Sequence, residues 1–335
     1  MAPQLSLVGA HAPVAGGLGR ALGYANAVGA EVVQVFVTNP RSWTPAPGSP
    51  AQDEVFRSGC AERGLPVYVH APYLINLGSP TPLTRERSVS ALAHSLCRGH
   101  QIGAAGVVVH AGSAVAGARR DEAMGQVREL LMPVLDAIPA DGPRLLVEPT
   151  AGGGQPLAAR VEQLAAYFDV LDHHDKLGVC LDTCHAWAAG HDLAASGGLA
   201  ATMRALAAAV GQGRLGLVHA NDSRDDVGSL RDRHETLGAG MLGAAAFAQL
   251  FTVPALRGVP IVVETPSETH AADIALLKRL RRRGRSTATS TAPSIATPAA
   301  APPVTSTAAS IAAFTMASTA PSTVASRSAP TCYHA

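Results

Sequence analysis

Apolar and polar positions alternate along this chain on two scales. Short β-branched runs recur near residues 5–11, 32–37, 66–71, 106–111, 144–149, 177–183, 214–220 and 259–265. Each reads as a buried strand. Longer stretches with helical spacing separate them, at 18–28, 83–102, 121–138, 157–171, 199–210, 244–251 and 268–282, the last with Pro266-Ser267 as an N-cap. Eight strands alternating with helices over about 280 residues predict an α/β fold, a (β/α)8 TIM barrel. Parallel strands covered on both faces are continuous apolar runs, as these are. An open doubly wound sheet is the alternative. The Gly-rich stretch Ala15-Gly16-Gly17-Leu18-Gly19 does not match G-x-G-x-x-G, so a phosphate cradle there is weakly supported.

The strands share a second pattern: most end in a polar, metal-type side chain. Val67-Tyr68-Val69-His70, Val107-Val108-Val109-His110, Leu145-Leu146-Val147-Glu148, Val179-Cys180-Leu181-Asp182, Leu217-Val218-His219 and Ile261-Val262-Val263-Glu264 all do so. The first strand ends in His11; the second leads into Thr38-Asn39-Pro40-Arg41. Barrels place their chemistry at the C-terminal ends of their strands, so these tips are predicted to converge. With His185, Asp232 and His234 the candidate ligands number five histidines and four carboxylates, a donor set for zinc and, less selectively, manganese. Asp182-Thr183-Cys184-His185 puts a carboxylate on a tip and an imidazole at the start of the next loop. The i, i+2 spacing of Asp232-Arg233-His234 turns both end side chains one way in an extended segment. Four carboxylates without cations would repel in a low-dielectric pocket. Taken singly, each residue has a plain structural reading as a hydrogen-bonded histidine or an ion-paired carboxylate. The shared position favours a site. Cys180 and Cys184 are read as small packed residues rather than ligands, and His11 as pocket lining.

Composition changes this picture at the C-terminus. From Arg285 to Ala335 the chain is mostly Ala, Ser, Thr and Pro, with two Arg and no acidic residue. That predicts a barrel domain over 1–284 and a disordered low-complexity tail over 285–335. The basic stretch 278–285 is either a solvated helix end suited to the helix dipole or a phosphate contact. Lys and Arg total 26 against 25 acidic residues, which announces no nucleic-acid partner by itself. The five cysteines show no paired spacing, and no apolar run has membrane-spanning length. A soluble, unexported protein in a reducing cytoplasm is expected.

The runs His70-Ala71-Pro72-Tyr73-Leu74-Ile75-Asn76-Leu77, Leu181-Asp182-Thr183-Cys184-His185, His219-Ala220-Asn221-Asp222-Ser223, Asp232-Arg233-His234 with Gly238-Ala239-Gly240, and Val263-Glu264-Thr265-Pro266 resemble the endonuclease IV family of apurinic/apyrimidinic endonucleases. Ala10-His11 and Asn39-Pro40-Arg41-Ser42-Trp43 extend the resemblance, which covers about residues 4–282. It implies a three-zinc TIM barrel of base-excision repair that cuts 5′ to an abasic site in double-stranded DNA, leaving a 3′-hydroxyl and a 5′-deoxyribose phosphate. It implies His70, His110 and Glu148 on one zinc, and Glu148, Asp182, His219 and Glu264 on a second. His185, Asp232 and His234 would hold the third. Glu148 is thereby the catalytic bridging residue, and Arg41 and Tyr73 match positions that enter the minor groove. A cytoplasmic, nucleoid-associated monomer is expected, its affinity for DNA carried by the local charge of bound zinc and by Arg41, Arg224, Arg231 and Arg233 on the same face. The chain departs from the family at Ala111-Gly112, Pro149-Thr150 and Glu235-Thr236-Leu237, all neighbours of ligands. A divalent-metal sugar isomerase and a non-catalytic DNA-lesion binder are the competing readings.

Overall fold

The computed structural model describes residues 5–290. Its strands are β1 (Val8–His11), β2 (Val33–Val35), β3 (Val67–His70), β4 (Gly106–His110), β5 (Arg144–Glu148), β6 (Leu177–Asp182), β7 (Leu215–His219), β8 (Asp222–Ser223), β9 (His234–Glu235) and β10 (Ile261–Val263). Eight of them run parallel and close a barrel in the order β1-β10-β7-β6-β5-β4-β3-β2. The expected (β/α)8 barrel is therefore present. The other two, β8 and β9, pair as an antiparallel ribbon that was not expected. Each is too short to carry any periodicity.

The helices are α1 (Leu18–Ala27), α2 (Pro50–Glu62), α3 (Pro82–Gln101), α4 (Arg120–Asp136), α5 (Leu164–Asp169), α6 (Thr183–Ala188), α7 (Gly198–Val210), α8 (Gly243–Ala248) and α9 (His270–Ser290). Several differ from expectation. The stretch 157–171 is helical only toward its end. Its first part binds neighbouring loops instead, with Leu157 N–H donating to Gly112 O (2.9 Å) and Thr150 N–H to Ala158 O (3.0 Å). α9 starts at His270 rather than 268, because 266–269 form a turn in which Thr269 N–H donates to Pro266 O. It also runs to Ser290, past the boundary expected at 284. The rest of the expected tail, 291–335, lies outside the described residues. Among the described residues, no helix is long and apolar enough to cross a membrane.

α2 escaped the periodicity reading because its buried stripe is Asp53, Phe56, Gly59 and Cys60, with a carboxylate where an apolar side chain would be looked for. Asp53 is buried against the equally buried Arg98 of α3, which donates from Nη1 to Oδ2 (2.5 Å) and from Nη2 to Oδ1 (2.8 Å). Removing one partner of such a pair strands the other charge. Arg98→Ala is expected to destabilise the fold by roughly 3 kcal/mol, read as a lower denaturant midpoint. An unchanged midpoint would show that the pair contributes nothing. Within the basic end of α9, Lys278 and Arg281 are ion-paired rather than merely solvated. Lys278 lies 3.2 Å from Glu31, and Arg281 clamps both oxygens of that carboxylate.

Pleating sends successive side chains to opposite faces. The lumen holds its own cluster of Val32, Tyr68, Val108, Leu146, Cys180, Leu217 and Val262, apart from the main core between strands and helices. In β1 the equivalent position is Gly9, where a Cβ would lie 1.7 Å from Val32 O, so only glycine lets the strands approach. Two residues further along each strand, the same lumen receives His11, Gln34, His70, His110, Glu148, Asp182, His219 and Glu264. The barrel interior thus changes from apolar to polar within one step of the pleat.

Candidate metal centre

These tips converge as expected. His70 Nε2 and His110 Nε2 lie 3.5 and 3.7 Å from Glu148 Oε2. The other oxygen, Oε1, lies 3.2 Å from His219 Nδ1. That nitrogen also faces Glu264 Oε2 at 3.2 Å and Asp182 Oδ2 at 3.9 Å. A third group stands beside these two. His185 Nε2 is 3.2 Å from Asp232 Oδ2, and His234 Nε2 is 3.2 Å from Asp232 Oδ1 and 3.6 Å from Asp182 Oδ2. Glu148 is fully buried between the first two groups, and Asp182 lies between the second and third.

Local structure aims each side chain. Asp182 caps α6, accepting His185 N–H at Oδ1 (3.0 Å), so His185 sits on a short helix rather than in a loop. Asn221 donates to Asp182 Oδ2 (2.7 Å) and accepts the backbone N–H of Glu264 at its Oδ1 (2.9 Å). His70 Nδ1 faces Ala71 O at 2.7 Å, and His185 Nδ1 faces Pro149 O at 3.1 Å. In both rings Nε2 is therefore left for an ion, the usual outer support of a metal-binding histidine. Asp232 and His234 point the same way as their spacing predicts. Arg233 between them turns outward to Asp225, with Nε 2.7 Å from Oδ2. Asn76 Oδ1 receives Gly78 N–H and Ser113 N–H. A Cβ on Gly112 (φ +81°) would lie 2.9 Å from that oxygen, so this glycine is required, and the departure from the family's Pro-Gly is confined to Ala111 beside it.

Without cations the group holds its protons unevenly. Burial pushes the His110 imidazole down to about 4. Burial also opposes a charge on His234, but Asp182 and the adjacent carboxylate of Asp232 lift it to about 9. Burial opposes ionisation of Asp232, and the neighbouring imidazoles of His185 and His234 overcome it and hold the carboxyl far below its ordinary value. Glu148 is also held low, by His219, His185 and His70 against the cost of burial.

The donor chemistry fits divalent metal. Glu148 Oε2, His185 Nε2 and His234 Nε2 are buried with no hydrogen bond of acceptable geometry. Buried polar atoms are rarely left so, and these belong to the first and third groups. Donor atoms of His70, His110 and Glu148, of His185, Asp232 and His234, and of Glu148, Asp182 and His185 each lie within 4.8 Å of one another. Cys180 and Cys184 also come within reach. Burial raises both thiols to about 12, which disfavours the thiolate a metal needs.

The face around the centre carries Tyr73 and Arg41. Tyr73 is half exposed; its ring packs 5.2 Å from His70, 5.5 Å from Phe36 and 5.7 Å from His110. Its backbone N–H donates to Pro40 O (3.1 Å), which sets the Arg41 loop beside it. The other arginines expected on this face are partly neutralised. Arg224 lies 3.2 Å from Glu235, and Arg231 and Arg233 both face Asp225. Sequence reading missed Gln34, Asn221 and Asp222 as parts of the site. A polar residue inside the run Val32-Val33-Gln34-Val35 was the available signal for the first.

A closed barrel with three groups of potential metal ligands at one mouth defines a (β/α)8 protein with a candidate metal centre. Residues 22–283 match the family described as xylose isomerase-like TIM barrel. The chain is 55% identical over 278 residues to a probable endonuclease 4 of Streptomyces avermitilis, covering 82% of this chain and 90% of that protein. It is 56% identical to that of Streptomyces coelicolor, covering 82% and 95%. The crystal structure of endonuclease IV from Thermus thermophilus superposes with a TM-score of 0.71 at 37% identity, covering 84% of this chain and 99% of that one. A D-tagatose 3-epimerase-like protein, 15% identical with a TM-score of 0.65, shares the fold alone. The chain belongs to the endonuclease IV family.

Proposed function

We propose that this protein is a zinc-dependent phosphodiesterase of base-excision repair that incises double-stranded DNA on the 5′ side of an abasic site. The observation that carries this reading is Glu148, whose two oxygens face two different donor groups while a third group stands alongside. His70, His110 and Glu148 would hold one zinc; Glu148, Asp182, His219 and Glu264 a second; His185, Asp232 and His234 the third. Bound zinc would supply positive charge to the phosphate and a water acidic enough to ionise near neutral pH. The same donors accept manganese, so metal identity is a matter for measurement. A sugar isomerase has no evident use for the third group.

The remaining work belongs to the chain. His11, Gln34 and Asn221 hold the carboxylates and His219 in place. The buried walls exclude bulk water from Glu148 and His219. Tyr73 and Arg41 would enter the minor groove and stabilise an extruded abasic nucleotide, the least costly nucleotide to unstack because it has no base. In the hydrolysis a water oxygen bonds to phosphorus as the bond between phosphorus and the upstream 3′ oxygen breaks, and the water supplies the proton. The 3′ oxygen leaves with that proton as a 3′-hydroxyl, and the phosphate stays on the abasic deoxyribose. The protein would act as a monomer in the nucleoid.

The test is a nicking assay on a duplex carrying one tetrahydrofuran residue, run with elemental analysis of the purified chain. About three zinc per chain and incision 5′ to the lesion are expected; chelation should abolish incision and zinc should restore it. A chain that holds zinc yet leaves the duplex intact would reject the proposed activity and favour the lesion-binding reading. Tyr73→Ala should raise KM for this duplex about tenfold, the loss of a stacking contact of about 1–3 kcal/mol, and change kcat less. Unchanged KM would remove Tyr73 from the DNA interface.

A further inference from the structure

Each barrel strand sends one side chain to the polar layer above the lumen. On β2 that side chain is Gln34, the one carboxamide among imidazoles and carboxylates. It is fully buried, and neither end of its amide is idle. The amide nitrogen is 2.6 Å from Glu264 Oε1 and 2.9 Å from His11 Nδ1; the amide oxygen is 2.9 Å from His219 Nε2.

The chemistry of the partners orients this amide. An ionised carboxylate only accepts, so the NH2 of Gln34 must face Glu264 and its carbonyl must face His219. A carbonyl cannot donate, so His219 Nε2 must carry the hydrogen. In the neutral ring that binds a metal, the bare lone pair of His219 then lies on Nδ1. That atom faces Glu148 Oε1, Glu264 Oε2 and Asp182 Oδ2. Glu264 is treated alike, with Oε1 held by Gln34 and Oε2 turned to His219 Nδ1.

We propose that Gln34 is a positioning residue for the central metal. Its one amide selects the tautomer of His219 and fixes the rotation of the Glu264 carboxylate, so that two ligands from non-adjacent positions in the sequence present their free atoms to one point. The proposal rests on the metal-centre reading above, but not on the identity of the substrate. Partners of this kind typically alter metal affinity by about 10–100-fold when lost.

The test compares the full chain with Gln34→Leu, Gln34→Glu and Gln34→Asn. Zinc affinity is read by competition with a chromophoric chelator, and the His219 tautomer by long-range 1H–15N correlation of the zinc-loaded protein. Wild type should show a proton on Nε2 of His219. Gln34→Leu should lose that slowly exchanging proton and release one of its zinc ions roughly 10–100-fold more readily. In incision, kcat should fall while KM for the duplex holds, because the DNA contacts are elsewhere. Gln34→Glu keeps an acceptor for His219 but sets a second carboxylate against Glu264. It should keep the tautomer and still lose affinity, a split that a general packing defect does not produce. Gln34→Asn withdraws the amide by one methylene and should lose affinity too; it decides the matter if the Leu variant does not fold. Wild-type zinc affinity in either the Leu or the Asn variant overturns the proposal. A wild-type chain that binds zinc but does not nick abasic DNA overturns only the substrate reading, whereas one that binds no divalent metal overturns both.

Discussion

Replacing Glu148 with glutamine should reduce incision by at least about a thousand-fold while leaving the barrel folded. The substitution keeps volume and shape but removes the charge. Both oxygens of Glu148 are in use, one beside His70 and His110, the other beside His219. An amide has a single carbonyl oxygen and cannot neutralise two cations at once. Its NH2 would also turn donor hydrogens toward the position of an ion. The fold should survive because β5 is held on both sides, to β4 over five residue pairs and to β6 over three, through backbone bonds the side chain does not touch. Elemental analysis should show fewer than three metals per chain, and circular dichroism an unfolding midpoint near that of wild type. Full incision by a folded Glu148→Gln chain would remove the bridging carboxylate from the reaction.

The strand tips were legible because pleating has a period of two. Glu148 follows Leu146 by two residues and His219 follows Leu217, so a reading of alternation puts both in the lumen. Asp232-Arg233-His234 was legible for the same reason, its middle arginine facing away. What escaped the sequence depends on partners far along the chain or on segments without a period. Gln34 meets His219 across 185 residues. Asp53 and Arg98 look like surface charges until α2 and α3 bring them together. β8 and β9 hold two residues each. The start of α9 was misplaced because Pro266 and Ser267 form an acceptable cap, but Thr265 and Thr269 bind Asp273 and shift the first turn.

Asp222 shows how much a missed residue can carry, and Asp222→Ala should be the most destabilising of the single changes considered. Its carboxylate is fully buried, and five backbone N–H groups surround it. Ser223 and Leu242 donate to Oδ1 at 2.8 and 2.9 Å. Gly238, Gly240 and Gly243 donate to Oδ2 at 2.9, 3.2 and 3.2 Å. Convergent backbone N–H groups form a concave anion site, and here the anion is supplied by the chain. The approach is close: a Cβ on Gly240 would lie 2.4 Å from Ser223 O and 2.5 Å from Asp222 Oδ1, which accounts for the glycine pattern after His234. Each N–H left unpaired costs about 1–3 kcal/mol if water cannot reach it. Some would gain water as the 236–243 loop opens, so a net loss of roughly 5 kcal/mol is expected. The loss should not stay in the loop, because Ser223 pairs with His234 across the ribbon. Slackening β8 frees His234 and weakens the third donor group first. Asp222→Ala should therefore bind about one metal fewer than wild type and lose most of its incision at temperatures where it remains folded. Asp226→Ala, an exposed acid in the same region, should stay within about 0.5 kcal/mol of wild type. If the two variants unfolded at the same denaturant concentration and held the same metal, the buried anion would have no part in shaping the third group.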